Sequence, residues 1–191
     1  MESPLDNHIY NSTDNIVIEL DKIGWMSPNV VTTIGLIFGV ISILFFVKGD
    51  WKKSILFLLL YYYFDCMDGY YARKFGKVTR FGDYYDHFRD WFVAGVMITL
   101  LFIKLKSKQD KIVFASITAT LLLFCSMYVG CQEVIGEEHG LLIENSSPTL
   151  GCTRGMCPNP TKTIKVVRFF GPSTFVIFLC VYIWYSSRHS M

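Results

Sequence analysis

The chain has 191 residues, of which 52% are hydrophobic and only 18% charged, against about 25% charged in soluble proteins. With a mean hydropathy of +0.36, this argues against an ordinary soluble domain and for an all-α integral membrane protein, one domain over residues 1–191. A net charge of +2, without a basic tail or an aromatic-basic stripe, argues against a nucleic-acid partner.

Residues 1–26 form a juxtamembrane segment. They carry Glu2, Asp6, Asp14, Glu19 and Asp21, the opposite of a basic signal-peptide start. Ile16, Leu20 and Ile23 recur at i, i+4, i+7, which predicts a short amphipathic helix on the membrane surface. A loosely ordered terminus is the plainer alternative. A spanning helix needs about 20 mostly apolar residues, and Asn29–Val47 supplies them. "SILFLLLYYYF" from Ser54 begins a second span that runs into a charged stretch. A third starts near Phe81 and reaches Ile103, a fourth covers Ile112–Cys131, and a fifth follows Thr163 with a break expected at Gly171-Pro172. Trp25, Trp51 and Trp184 fall near span ends, as interfacial anchors do.

Residues 132–162 read as a polar loop. Within and beside it, Cys152 and Cys157 could form a loop disulfide, or join Cys131 and His139 in a zinc site. The spacing Cys-x7-His-x12-Cys-x4-Cys matches no common finger, so a plain loop is the favoured reading. Cys66, Cys125 and Cys180 lie in apolar runs and read as small buried hydrophobes. Lysines and arginines number ten on the N-terminal side of five spans and eight on the other, so the positive-inside rule does not decide orientation. The sequons at Asn11 and Asn145 share the N-terminal side but occur readily by chance.

The stretch "YFDCMDGYYARKFGKVTRFGDYYDHFRDWF", Tyr63–Phe92, sets charges where apolar residues are expected. At about 100° per residue, Asp65, Asp68, Gly69 and Ala72 share one helix face. On the next helix Gly82, Asp86 and Asp90 step by four, drifting about 40° each time. "KFGKVTR" is short enough to make the helices antiparallel neighbours, so four carboxylates converge. Each would cost roughly 2.5–3.5 kcal/mol near a span centre if unpaired. Arg73, Arg80 and Arg89 could pair with them in a purely structural cluster. Small residues at 69 and 82 fit a ligand site better, and oxygen ligands suit a hard divalent cation. Two ions held by Asp65, Asp68, Asp86 and Asp90 would be arranged to clamp a pyrophosphate. Asp83 reads as peripheral, and Tyr61–Tyr63 and Tyr84-Tyr85 as packing aromatics.

Asp65-x2-Asp68-Gly69-x2-Ala72-Arg73-x8-Gly82-x3-Asp86-x3-Asp90 resembles, at all eight fixed positions, the signature of the CDP-alcohol phosphotransferase family. "SPNVVTTIGL" (Ser27–Leu36) is similar to the family's first-helix motif. The resemblance implies a bundle of five to six transmembrane helices and transfer of a phosphatidyl or phospho-alcohol group from a CDP-linked donor to an alcohol, with release of CMP. It implies Mg²⁺ or Mn²⁺ on Asp65, Asp68, Asp86 and Asp90, with Asp90 as general base. Gly69, Ala72 and Gly82 would allow close approach of the nucleotide, Arg73 would steady its phosphates, and Asn29 and Thr32 would assist. A homodimer and a cytosol-facing site are implied too. His87 is a second candidate base: Asp86-His87 resembles the choline/ethanolamine branch, which uses diacylglycerol as acceptor. "TRFG" and the short chain resemble the branch that uses CDP-diacylglycerol. An imidazole is also better matched to proton abstraction near neutrality; the alternative is a structural hydrogen bond to a nearby carboxylate.

Two other classes compete. An ion transporter expects charges spread along several helices, whereas these concentrate in two. An inactive scaffold expects eroded motif positions.

Overall fold

The structure, a computed structural model, describes residues 3–138, 151–157 and 159–189. Its elements are α1 (Pro4–Asp21), α2 (Pro28–Val47), α3 (Trp51–Lys74), α4 (Arg80–Lys104), α5 (Lys108–Glu138), α6 (Gly151–Arg154), α7 (Pro160–Val167) and α8 (Pro172–His189). No strand occurs among the described residues. The protein is an all-α integral membrane protein. Pro28–Val47, Lys108–Gly136 and Pro160–Arg188 are long and apolar enough to cross a bilayer. Helices α3 and α4, with 24 and 25 residues, also have the length, but their facing ends carry the charges.

Local chemistry sets the turns. Gly49 takes φ +82° after α2, a region costly to other residues, and the Asp50 carboxylate then caps α3 by accepting from the Lys53 N–H at 3.2 Å. At the other end of α3, Gly76 has φ +63° and the Lys77 N–H donates to the Ala72 carbonyl at 2.8 Å. The Thr79 hydroxyl caps α4 by accepting from the Gly82 N–H at 3.0 Å. These two caps shape the five-residue connection that returns α4 beside α3; the two backbones stay apart, however, and the expected neighbours meet through side chains.

Helix α2 packs against both α3 and α4. Gly39 makes this possible: a Cβ there would lie 2.7 Å from Val93 Cγ2 and 3.2 Å from Tyr61 Cδ2. One core joins Phe46, Leu58, Tyr61, Val93, Met97 and Leu101 to Phe114, Leu179 and Ile183. The last predicted span is broken where expected. Arg168–Phe170 is a single 3₁₀ turn between α7 and α8, ahead of Gly171-Pro172.

Two expectations change. Helix α5 runs on to Glu138, so the first part of the predicted 132–162 loop is helical. Cys131 and Cys157 form a disulfide, while Cys152 is exposed and free. Neither a Cys152–Cys157 bridge nor a zinc site using Cys131 and Cys157 fits that pairing; His139 and Asn145 lie outside the described residues. The pairing needs α5 and α6 in close contact, and Gly130 allows it: a Cβ there would lie 2.1 Å from the Thr153 carbonyl oxygen.

Helix α1 is present, but the predicted Ile16–Leu20–Ile23 stripe does not set its packing. Ile16 and Ile23 are exposed, and Val17, Asp6 and Thr13 are buried. Polar pairs align α1 with α3. The Tyr62 hydroxyl donates to Asp6 at 2.6 Å, the Tyr70 hydroxyl donates to Asp14, and Lys77 donates to Asp21 at 2.6 Å. Each pair is separated by 56 residues, so α1 runs parallel to α3, in register with it. Val17 packs with Val31, Met67 and Tyr71 beneath these pairs.

Candidate active site

Asp65 and Asp68 lie one turn apart on α3, and Asp86 and Asp90 one turn apart on α4. All four carboxylates meet at one side chain. Arg89 is fully buried and uses Nη1, Nη2 and Nε on them. Nη1 donates to Asp68 Oδ2 at 2.6 Å, Nη2 to Asp86 Oδ1 at 2.5 Å and to Asp90 Oδ1 at 2.9 Å, and Nε to Asp90 Oδ1 at 3.0 Å. Nη2 also donates to Asp65 Oδ1. Buried charges persist when paired and hydrogen-bonded, and the planar fork of Arg suits several carboxylates at once. Of the three arginines considered from sequence, Arg89 is the one at the centre.

The cluster is graded from interior to surface. Asp68 is buried, Asp65 keeps 18% of its side chain exposed, and Asp86 and Asp90 keep 33% and 39%. One oxygen each from Asp65, Asp68 and Asp86 lies within 4.8 Å of the others. An all-carboxylate set so close, already gathered around a positive group and open on one side, fits a hard divalent cation. Asp90 stands apart from that triad. Its Oδ1 accepts from the Tyr61 hydroxyl at 2.6 Å as well as from Arg89, and the Arg89 guanidinium lies 5.5 Å over the Tyr61 ring.

The other expected residues surround this centre. The Arg73 guanidinium lies over Gly69, with Nη1 3.2 Å from where a Cβ would be, and 5.9 Å from the ring of Tyr10 on α1. Ala72 is half-buried one turn from Asp68. Gly82 admits Asn29: the Asn29 Oδ1 sits 3.0 Å from the Gly82 Cβ position, joining the start of α2 to the start of α4. Thr32 is buried, donates to the Pro28 carbonyl at 3.0 Å and stands beside Asp68. The His87 Nδ1 meets the Asp83 carbonyl oxygen at 2.7 Å and lies 3.6 Å from the Asp83 carboxylate. A carbonyl only accepts, so Nδ1 carries the proton and Nε2 is the basic nitrogen of the neutral ring.

Sequence reasoning missed three contributors. Tyr61 was read as a packing aromatic, although it sits four residues before Asp65, on the cluster's face. Asp83 was set aside as peripheral, although its i, i+4 spacing to His87 announces the contact. The acidic residues of α1, which in the sequence only argue against a signal-peptide start, dock that helix on α3. Outside the spans, Lys74 and then Tyr70 hold the Asp14 carboxyl below the ordinary carboxylate range, and Lys77 does the same for Asp21.

A profile of the family described as CDP-alcohol phosphatidyltransferase matches residues 25–186, from just after α1 to near the end of α8. The chain is 27% identical over 139 residues to cholinephosphotransferase 1 of Saccharomyces cerevisiae, covering 66% of this chain and 34% of the relative. It thus matches about a third of that relative's length. No solved structure matches. With the family profile reaching across the aspartate cluster and most of the bundle, the chain belongs to the CDP-alcohol phosphatidyltransferase family.

Proposed function

We propose that this chain is a membrane enzyme of phospholipid synthesis, acting through one domain over residues 1–191. It transfers a phosphatidyl or phospho-alcohol group from a CDP-linked donor to an alcohol hydroxyl. The observation that carries the reading is the convergence of Asp65, Asp68, Asp86 and Asp90 at one half-open point, flanked by Arg73 and by the Asn29–Gly82 contact.

In the reaction, the acceptor oxygen bonds to the donor phosphorus remote from the cytidine. The bond from that phosphorus to the bridging oxygen breaks, and CMP leaves with the electron pair. Arg73, exposed at the end of α3, would bind the diphosphate. Gly69 seats the Arg73 guanidinium and Gly82 admits Asn29 close to the backbone, so Arg73 and Asn29 are the side chains that would meet the nucleotide at these two glycines. Asp65, Asp68 and Asp86, with Asp90 beside them, would hold Mg²⁺ or Mn²⁺, two ions in the form that the resemblance implies. When bound, a divalent cation supplies neutralisation of charge on the phosphoryl oxygens and on the leaving CMP. The acceptor proton passes to Asp90, whose orientation Tyr61 and Arg89 fix, or to His87 Nε2. Holding donor and acceptor together supplies much of the remaining acceleration.

A second form of the reading, with a CDP-aminoalcohol donor and diacylglycerol acceptor, is favoured by the cholinephosphotransferase relative and by the Asp86-His87 pair. Incubating the purified protein in lipid nanodiscs with CDP-diacylglycerol or CDP-choline, Mg²⁺ or Mn²⁺ and a panel of alcohols separates the two. The homodimer and the cytosol-facing site implied by the resemblance belong to the same proposal.

A further inference from the structure

The least expected feature of the site is the position of Arg89. Three of the carboxylates that a cation would use, those of Asp65, Asp68 and Asp86, are engaged by its guanidinium. It is not a surface side chain folded inward: Arg89 is 0% exposed. Helix α2 covers it, with Nη1 lying 3.5 Å from the Cβ position of Gly35, and Tyr61 lies under it. The fold has therefore built a cavity for this guanidinium beside the carboxylates.

Four carboxylates without a cation would repel one another, and in a partly buried site the repulsion is poorly screened. One guanidinium bonded to all four offsets much of it. The same bond set sits where a divalent cation would take its ligands, and the positive charge opposes a second positive charge at close range. We propose that Arg89 is an internal counter-ion that holds the four aspartates together in the metal-free protein and competes with the divalent cation for their oxygens. It acts as a positioning residue with a regulatory cost. Metal affinity is kept weak, loading requires Arg89 to release part of its bond set, and the protein stays folded when the metal is withdrawn.

This inference rests on the metal-dependent reading above, and the test distinguishes the failure of each. Mn²⁺ binding, followed by the electron paramagnetic resonance signal of free Mn²⁺, is compared in wild type, Arg89→Met and Arg89→Lys, with thermal unfolding measured in EDTA and in Mn²⁺. Removing the competing charge is expected to tighten Mn²⁺ binding by about tenfold or more in Arg89→Met. That variant should also unfold at a lower temperature in EDTA and gain more from added Mn²⁺ than wild type does. Arg89→Lys keeps the charge as a compact ammonium that cannot bridge four carboxylates, so its Mn²⁺ affinity should rise by about threefold. It carries the test alone if Arg89→Met does not fold without metal. Unchanged or weaker Mn²⁺ affinity in folded variants overturns the proposal, while CMP release that still needs Mn²⁺ leaves the metal reading standing. Absence of Mn²⁺ binding in all three proteins removes the metal reading and this inference with it.

Discussion

The Tyr61 hydroxyl donates to Oδ1 of Asp90 at 2.6 Å, the same oxygen that Arg89 Nε holds at 3.0 Å. This joins the buried middle of α3 to the most exposed carboxylate of the cluster, and leaves Asp90 with a fixed orientation and its Oδ2 directed elsewhere. A hydrogen bond to a charged group contributes about 1.5–3 kcal/mol. Tyr61→Phe is therefore expected to lower the rate of CMP release by roughly tenfold or more, with binding of the CDP-linked donor little changed. An unaltered rate would show that Tyr61 only packs.

Asp68 is the buried partner of Arg89. Replacing it with Asn keeps the shape and removes the charge, leaving a buried guanidinium short of one counter-ion. The variant should lose roughly 2 kcal/mol of stability, read as a lower unfolding midpoint in detergent, and its CMP release should fall by at least about a hundredfold. Asp86→Asn, at a half-open carboxylate, should abolish turnover with a smaller loss of stability.

His87 presents Nε2 as its basic nitrogen because Asp83 takes the other. His87→Ala is expected to slow transfer to a lipid hydroxyl while leaving nucleotide binding intact, and His87→Gln should not rescue it. Near-normal turnover of His87→Ala removes the histidine from the catalytic residues and leaves Asp90 as the base.

Docking of α1 depends on carboxylates held below their ordinary range by Lys74 and Lys77. A carboxyl depressed in the folded state adds stability above its unfolded value, and that contribution is lost as pH falls through the lowered folded value. The Lys77 ammonium is raised, chiefly by Asp21, so its share persists to high pH and is lost only above the ordinary lysine value of about 10.4. The protection of α1 amides, taken as the intrinsic exchange rate at each pH divided by the observed one, should therefore be flat from about pH 5 to pH 10 and should fall below about pH 4. Asp14→Asn with Asp21→Asn should loosen α1 at neutral pH. An acid response identical in that double variant would show that other groups control docking.

Cys131 and Cys157 report which way the site faces. They lie at the end of α5 that shares a membrane side with the α3–α4 turn when α5 crosses once. Reducing compartments open disulfides, so the Cys131–Cys157 bond and a cytosol-facing site point to opposite sides: a cytosol-facing site predicts that both thiols, which are buried, are alkylated once membranes made without reductant are denatured. Labelling that appears only after reduction would place the site on the oxidising side.

The two site helices were legible because a 3.6-residue period and one short connection suffice to bring Asp65 and Asp68 opposite Asp86 and Asp90. The break at Gly171-Pro172 was legible for the same reason, that Gly and Pro act locally. The central place of Arg89 was not. A long side chain has many reachable endpoints, and the choice among them depends on the space that α2 leaves at Gly35, a tertiary fact. Nor was the course of α1: its apolar spacing is ordinary, and its register comes from Asp–Tyr and Asp–Lys pairs 56 residues apart. The Cys131–Cys157 bond was hidden in the same way, since it depends on Gly130 letting α5 approach α6.

The central claim is that the aspartate cluster supports transfer from a CDP-linked donor. It is tested most directly by measuring CMP released from CDP-choline and from CDP-diacylglycerol by the purified protein in nanodiscs, with Mg²⁺ or Mn²⁺ and the alcohol panel. The account predicts acceptor-dependent CMP release that EDTA and Asp86→Asn both abolish. No CMP release with any pairing, from protein shown to be folded and to bind Mn²⁺, would contradict it.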